Sequence, residues 1–258
     1  MTDTWSEILR MTRELAEQHA KSRKRTLIVS AEAAALLHGV EMPTEASEKD
    51  TQAGTPDDAA VLRALEEEVR GCTKCGLCET RTQTVFSDGN PAADVVFIGE
   101  APGADEDRQG VPFVGRAGQL LTRIIEGGMK ISRQDVYICN VLKCRPPKNR
   151  DPQVSERMAC FPYLRQQLAL VKPKVICCLG RHAANALLGT ELGTGRLRGS
   201  WHFFDGIPVR VTYHPSYLLR LDREPDRLRQ EKRKVWTDIQ EVMKVLNGEI
   251  TPSPDSSS

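Results

Sequence analysis

From residue 59 onward the chain alternates between two hydrophobic patterns. Short, apolar, β-branched runs, Val95-Val-Phe-Ile-Gly99, Val136-Tyr-Ile-Cys-Asn140, Val175-Ile-Cys-Cys-Leu-Gly180 and Val209-Arg-Val-Thr-Tyr213, are separated by longer stretches whose apolar residues recur at helical spacing. The runs predict strands at Asp94–Gly99, Val136–Val141, Lys174–Gly180 and Ile207–Tyr213. The stretches between them predict helices at Ala59–Val69, Ala117–Glu126, Ser155–Leu170, Arg181–Leu188 and Arg227–Leu246. Strands joined by crossover helices read as an α/β fold, expected here as a three-layer α/β/α sandwich around a mainly parallel, four-stranded sheet.

Upstream the pattern differs. Trp5, Ile8, Leu9, Met11 and Leu15 predict one amphipathic helix from Thr4 to about Ala20, and Met42-Pro-Thr-Glu-Ala-Ser-Glu-Lys-Asp with the residues to Asp58 has almost nothing to bury. The expected organisation is a helix and acidic linker over residues 1–58, a catalytic domain over 59–250 and a disordered tail over 251–258. The N-terminal helix is a candidate for binding another protein. Residues 1–58 hold seven Lys/Arg against eleven Asp/Glu, so the net charge of +1 for the whole chain hides +5 on the remainder. Ten basic and five acidic residues fall between Gly195 and Lys234, which suits a polyanionic partner. No apolar run approaches the roughly 20 residues of a membrane span, and the charged start Met1-Thr-Asp-Thr-Trp-Ser-Glu-Ile-Leu-Arg10 lacks the apolar stretch of an export signal. The expectation is a cytoplasmic monomer with no membrane partner.

In open α/β sheets the ligand sits beyond the carboxyl ends of the strands. That rule selects Glu100, Asn140 and His214, each at or just after a predicted strand end. Any one suits a cap or a turn, whereas three together point to a site.

Eight cysteines in a reducing compartment suit metal ligation or burial better than disulfides. Cys72 and Cys75 form a CxxC, and Cys144 and Cys160 stand sixteen residues apart. Four thiolates from separate loops accept either zinc or a [4Fe–4S] cluster. One CxxC with two isolated cysteines matches the larger cluster better than two compact knuckles would. Cys78 is read as packing beneath the loop, and Cys139, Cys177 and Cys178 as buried strand residues.

The motifs then converge. Gly99-Glu-Ala-Pro-Gly103 with Ala-Asp-Glu-Asp107, Gly110-Val-Pro-Phe-Val-Gly115, Asn140-Val-Leu-Lys-Cys-Arg-Pro-Pro147 and His214-Pro-Ser-Tyr-Leu-Leu-Arg220 strongly resemble family 4 uracil-DNA glycosylases, over roughly Cys72 to Leu246. The resemblance implies a [4Fe–4S] cluster on Cys72, Cys75, Cys144 and Cys160, and excision of uracil from single- or double-stranded DNA as a free base. Such an enzyme must flip the nucleotide into a closed pocket. There Asn140 matches uracil at N3 and O4, Phe113 is the aromatic platform, Glu106 is a candidate for excluding thymine's methyl, and the backbone amide near Ala101 assists at O2. His214 donates to O2 as negative charge develops, and Glu100 holds the water or stabilises the sugar cation. The water-orienting aspartate of the best-studied branch corresponds to Ala101. Tyr217, Leu218 and Leu219 are candidates for wedging into the gap left by the flipped base, with Arg220 on phosphate. No lysine stands at a strand end as a Schiff-base nucleophile, so strand cleavage is not expected. A relative that traps the abasic product depends on a histidine-containing loop, and Gly193-Thr-Gly-Arg-Leu-Arg-Gly199 has no histidine. A non-catalytic DNA-binding module would need the cysteines and basic segment but not Glu100, Asn140 and His214 together.

Overall fold

The computed structural model describes residues 56–253. The helix expected at 4–20, the linker up to residue 55 and the last five residues lie outside the described residues.

Helix α1 (Pro56–Arg70) places Leu62, Leu65 and Val69 on one buried stripe. Its start precedes the expected Ala59, with Asp57 and Asp58 in the first turn, where their charge complements the helix dipole. The sheet then builds from β1 (Ser87–Gly89), β2 (Val95–Gly99), β3 (Tyr137–Asn140), β4 (Val175–Leu179), β5 (Trp201–Phe204) and β6 (Ile207–Thr212). The spatial order is β1-β3-β2-β4-β6-β5.

The sheet therefore has six strands and is mixed, which corrects the expected count of four. The central β3-β2-β4-β6 set is parallel, as its apolar runs imply, while β1 and β5 close the two edges antiparallel. Both edge strands are short and half-buried, so neither carries a long apolar run. β5 and β6 are joined by Asp205 (φ 46°) and Gly206 (φ 82°), a two-residue hairpin with both central residues left-handed.

Helices α2 (Ala104–Gln109) and α3 (Arg116–Thr122) follow β2, and α3 continues as a π-helical turn, Arg123–Met129. Next come α4 (Val154–Val171), α5 (Arg181–Leu188), α6 (Thr194–Leu197), α7 (Pro215–Arg220) and α8 (Pro225–Leu246). None is long and apolar enough to cross a membrane, among the described residues. Alternate strand residues feed two apolar clusters. Val96, Ile98, Ile176 and Cys178 join residues of α1, α4 and α5, whereas Val95, Phe97, Val175 and Cys177 join residues of α3, α7 and α8.

A buried polar knot ties α8 to the sheet. Asp238, fully buried, accepts from Arg198 Nε and Nη2 (3.0 and 2.7 Å), from Thr212 Oγ1 (2.9 Å) and from Arg210 (3.3 Å). Removing one partner from such a buried pair costs about 3–5 kcal/mol.

Candidate active site and cysteine centre

The parallel register aligns the strand ends, pairing Gly99 with Asn140 and Leu179 with Thr212. The residues that follow open onto one cleft of about 840 Å³, whose lining includes Glu100, Ala101, Glu106, Phe113, Asn140 and His214. Tyr217 and Arg220 line it as well.

Gly99 packs directly against two of these side chains. A Cβ there would meet Asn140 Oδ1 at 2.3 Å and the Phe113 ring at 2.5 Å, so only glycine lets both side chains close over the strand end. Asn140 is 1% exposed, and its Oδ1 is buried with no hydrogen-bond partner. An acceptor left so is costly unless a ligand satisfies it.

Phe113 is buried with φ at 55°, a conformation a bulky side chain adopts only when its surroundings impose it. Those surroundings are visible. Glu106 Oε1 accepts the backbone N–H of Val114 (3.0 Å) and Gly115 (2.9 Å), and its other oxygen accepts that of Gly103 (3.1 Å). Arg133 holds the other side, donating to Pro112 O (2.7 Å), Thr122 Oγ1 (2.8 Å) and Asp88 Oδ2 (2.9 Å). With its carboxylate committed to three amides, Glu106 shapes the loop that presents Phe113.

His214 caps α7 with its own ring. Nδ1 accepts the N–H of Ser216 (3.1 Å) and lies 2.8 Å from the Ser216 hydroxyl. With Nδ1 accepting, the proton of the neutral ring belongs on Nε2. Burial, with Arg220 and His182 adding to it, pushes the imidazole down to about 4, so the ring is a neutral donor at pH 7. Gly180 (φ 88°) lets the backbone pass within reach of His214 Cβ, 3.1 Å from where a glycine-replacing Cβ would stand. The His214 and Phe113 rings lie 5.7 Å apart.

Glu100 faces a polar cluster. His182 Nε2 is 3.8 Å from Glu100 Oε2 and 3.4 Å from Asp151 Oδ2. Burial, then the Asp151 charge, lift the Glu100 carboxyl to about 7, with Arg181 and Arg157 opposing. The three side chains have ligand atoms within 4.8 Å of one another, a spacing that admits a cation. The Arg181 guanidinium already bonds Asp151 (3.1 Å) and His182 (3.1 Å), supplying the positive charge a metal would bring.

On the other side of the β3 end, Cys72, Cys75, Cys144 and Cys160 line a second, smaller cavity together with Arg81, Lys143 and Tyr163. N–H groups point at the sulfurs: Arg81 Nη1 at Cys144 (3.2 Å), Lys143 N at Cys160 (3.2 Å) and Lys74 N at Cys72 (3.5 Å). Four thiols around one void, met by donors and cations rather than by acids, suit a thiolate-ligated centre. Cys78 is half-buried in the 3₁₀ turn after Cys75 and does not line the void, while Cys139, Cys177 and Cys178 are fully buried in strands.

A family model described as the uracil DNA glycosylase superfamily matches residues 86–240, which holds the whole cleft. The chain belongs to that superfamily. Its type-4 branch supplies strong relatives. A type-4 uracil-DNA glycosylase of Saccharolobus solfataricus is 45% identical over 166 residues, covering 61% of this chain and 77% of the relative. One of Thermotoga maritima is 41% identical over 192 residues, covering 73% and 96%. A type-5 uracil-DNA glycosylase of Pyrobaculum aerophilum is 33% identical over 147 residues, covering 50% and 64%.

In the DNA-free structure Leu218 is 2% exposed and packs into the cluster with Val95 and Phe97, on the inward side of α7. Tyr217 and Leu219 are half-buried and Arg220 is exposed. The Tyr217 ring stacks 4.8 Å from that of Tyr213. Sequence reading passed over His182 and Asp151. His182 lies three residues beyond β4, so the strand-end rule that selected Glu100 would have found it, whereas Asp151 sits in a loop that no pattern marks.

Proposed function

We propose that this chain is a monofunctional uracil-DNA glycosylase that hydrolyses the N-glycosidic bond of deoxyuridine in DNA. The observation that carries the reading is the unpartnered Asn140 Oδ1, buried in a cleft with a neutral histidine donor and an aromatic ring. In this reading the flipped uracil lies against Phe113, and its N3–H donates to Asn140 Oδ1 while the amide NH₂ donates to O4. Cytosine reverses both groups and is rejected.

As the C1′–N1 bond breaks, its electron pair moves onto the base and gathers at O2. The Nε2–H of His214 donates to that oxygen without transferring its proton, and the amide near Ala101 assists. Glu100, ionised, stabilises the positive sugar and holds the water whose oxygen bonds to C1′, accepting the proton that the water gives up. The uracil anion leaves and is protonated by solvent, so the products are free uracil and an abasic site.

Arg220 and the neighbouring basic residues bind phosphate. Cys72, Cys75, Cys144 and Cys160 hold a [4Fe–4S] cluster, which supplies a rigid cross-link between the loop before β1 and the start of α4. The two apolar clusters are read as helical layers on either face of the sheet. The enzyme acts as a cytoplasmic monomer, with a base-excision role in removing deaminated cytosine or misincorporated dUMP.

The test is an oligonucleotide with a single uracil. Strand cleavage only after alkali is the expected result, and no abasic product under any condition would sink the reading.

A further inference from the structure

Only three residues separate the end of the base-reading strand from the cysteine cavity, and one of them is a buried lysine. Lys143 is 1% exposed. Its Nζ donates to the backbone carbonyl of Asn140 (2.6 Å) and to Gln167 Oε1 (2.5 Å), and stands 5.8 Å from the Phe86 ring centroid. Its backbone N–H donates to Cys160 Sγ, and its carbonyl accepts from Val85 N (2.8 Å). Gln167, fully buried, is fixed in turn by donating to the Tyr137 hydroxyl (2.9 Å) and to Phe86 O (3.3 Å).

Cys144 and Cys160 line the metal cavity, as does Lys143 itself. The side chain thus reaches back from the cysteine centre to the one carbonyl whose residue also carries the amide in the cleft.

We propose that Lys143 is a positioning residue that couples the cysteine centre to base recognition. Its backbone N–H holds the Cys160 sulfur and its side-chain Nζ clamps the Asn140 carbonyl, so that the side-chain amide is aimed into the cleft. This rests on the reading of Asn140 as the uracil reader and of the four cysteines as ligands. It gives the centre a role in specificity beyond holding loops together.

The test is Lys143→Met, which keeps the chain length and apolar stem and removes the Nζ donor. Four quantities are measured on the purified holoenzyme: iron per chain, equilibrium affinity for free uracil, affinity for DNA bearing a tetrahydrofuran abasic analogue, and the single-turnover rate on uracil DNA. Uracil affinity and the single-turnover rate should each fall by about tenfold or more, the scale of losing a buried hydrogen bond that leaves its acceptor unpaired. Abasic-DNA affinity should stay within about twofold, since phosphate and sugar contacts are untouched. A merely structural lysine would lower the active fraction and iron content while leaving the rate and uracil affinity of the active molecules unchanged, and that result overturns the proposal. If Lys143→Met does not fold, Gln167→Leu, which frees one side of the Lys143 Nζ, decides it: unchanged uracil affinity refutes the coupling and a severalfold loss supports it. Wild type is the control for the parent reading, because wild type that neither binds uracil nor excises it refutes the glycosylase assignment rather than the role of Lys143.

Discussion

Replacing Asn140 with Asp changes one NH₂ for an oxygen and leaves the side chain's shape intact, so it reverses the hydrogen-bond polarity facing O4 and, when ionised, adds a negative charge there. The geometry sets the magnitude. Asn140 is 1% exposed and closed in by Gly99 and Phe113, and its Oδ1 has no protein partner, so neither water nor a neighbour can compensate a mismatch. The aspartate still accepts from uracil N3, but its second oxygen faces O4, and an unsatisfied buried acceptor costs about 1–3 kcal/mol. Uracil excision should therefore fall by roughly 5- to 150-fold. Cytosine presents an amino donor where uracil has O4, so any change in its excision should be upward. The assay is single-turnover cleavage of matched oligonucleotides carrying uracil or cytosine at one position, with binding to abasic DNA as the control for folding. Uracil excision at the wild-type rate would refute the claim that this amide reads the base.

Further outcomes follow from the same geometry. His214→Ala removes a neutral donor aimed at developing charge and should slow single-turnover excision by about a hundredfold or more with DNA affinity little changed; an unaltered rate would return the ring to its role as helix cap. Because burial and Asp151 lift Glu100 to about 7, its ionised form is scarce below that pH. The excision rate should rise about tenfold per pH unit up to pH 7 and level off above it, and Glu100→Gln should be slower and lose that rise. The sign for stability is opposite: a carboxyl raised in the folded state binds its proton more tightly than in the unfolded chain, so its contribution weakens as pH climbs from the ordinary carboxylate range to 7. Purified protein should be yellow-brown with absorbance near about 400 nm, as a cysteine-ligated iron–sulfur cluster gives, and Cys160→Ala should bleach it; colourless protein with stoichiometric zinc would contradict the cluster.

The central strands were legible because burial on both faces leaves nothing but apolar residues, so Val95–Gly99 and Val175–Leu179 announce themselves. The edge strands were not. Ser87–Gly89 has three half-buried residues, too few for any period, and Trp201–Phe204 alternates with nothing. Yet Asp205-Gly206 between aromatic and β-branched residues is a hairpin signal that was there to read. Short helix α7 is not among the predicted helices, although Pro215 at its first position is an ordinary start signal. In the site, the strand-end rule found Glu100, Asn140 and His214, since it needs only local pattern. It could not find the three amides that occupy Glu106, nor Arg133 behind Pro112, because these contacts join segments through tertiary packing alone.

The knot around Asp238 bears on how the protein is made. Thr212 and Arg210, on the strand that leads to His214, find their carboxylate 26 and 28 residues later in the chain, and Arg198 finds it 40 residues later. During translation the strand therefore leaves the ribosome carrying two buried-to-be polar groups and no counter-charge. The wall bearing His214 waits for α8, and so does the face that carries Phe97, Phe113 and Ile138, because both pack against that helix. In the proposed reading, the nascent chain can neither hold a base nor cut it until α8 has emerged.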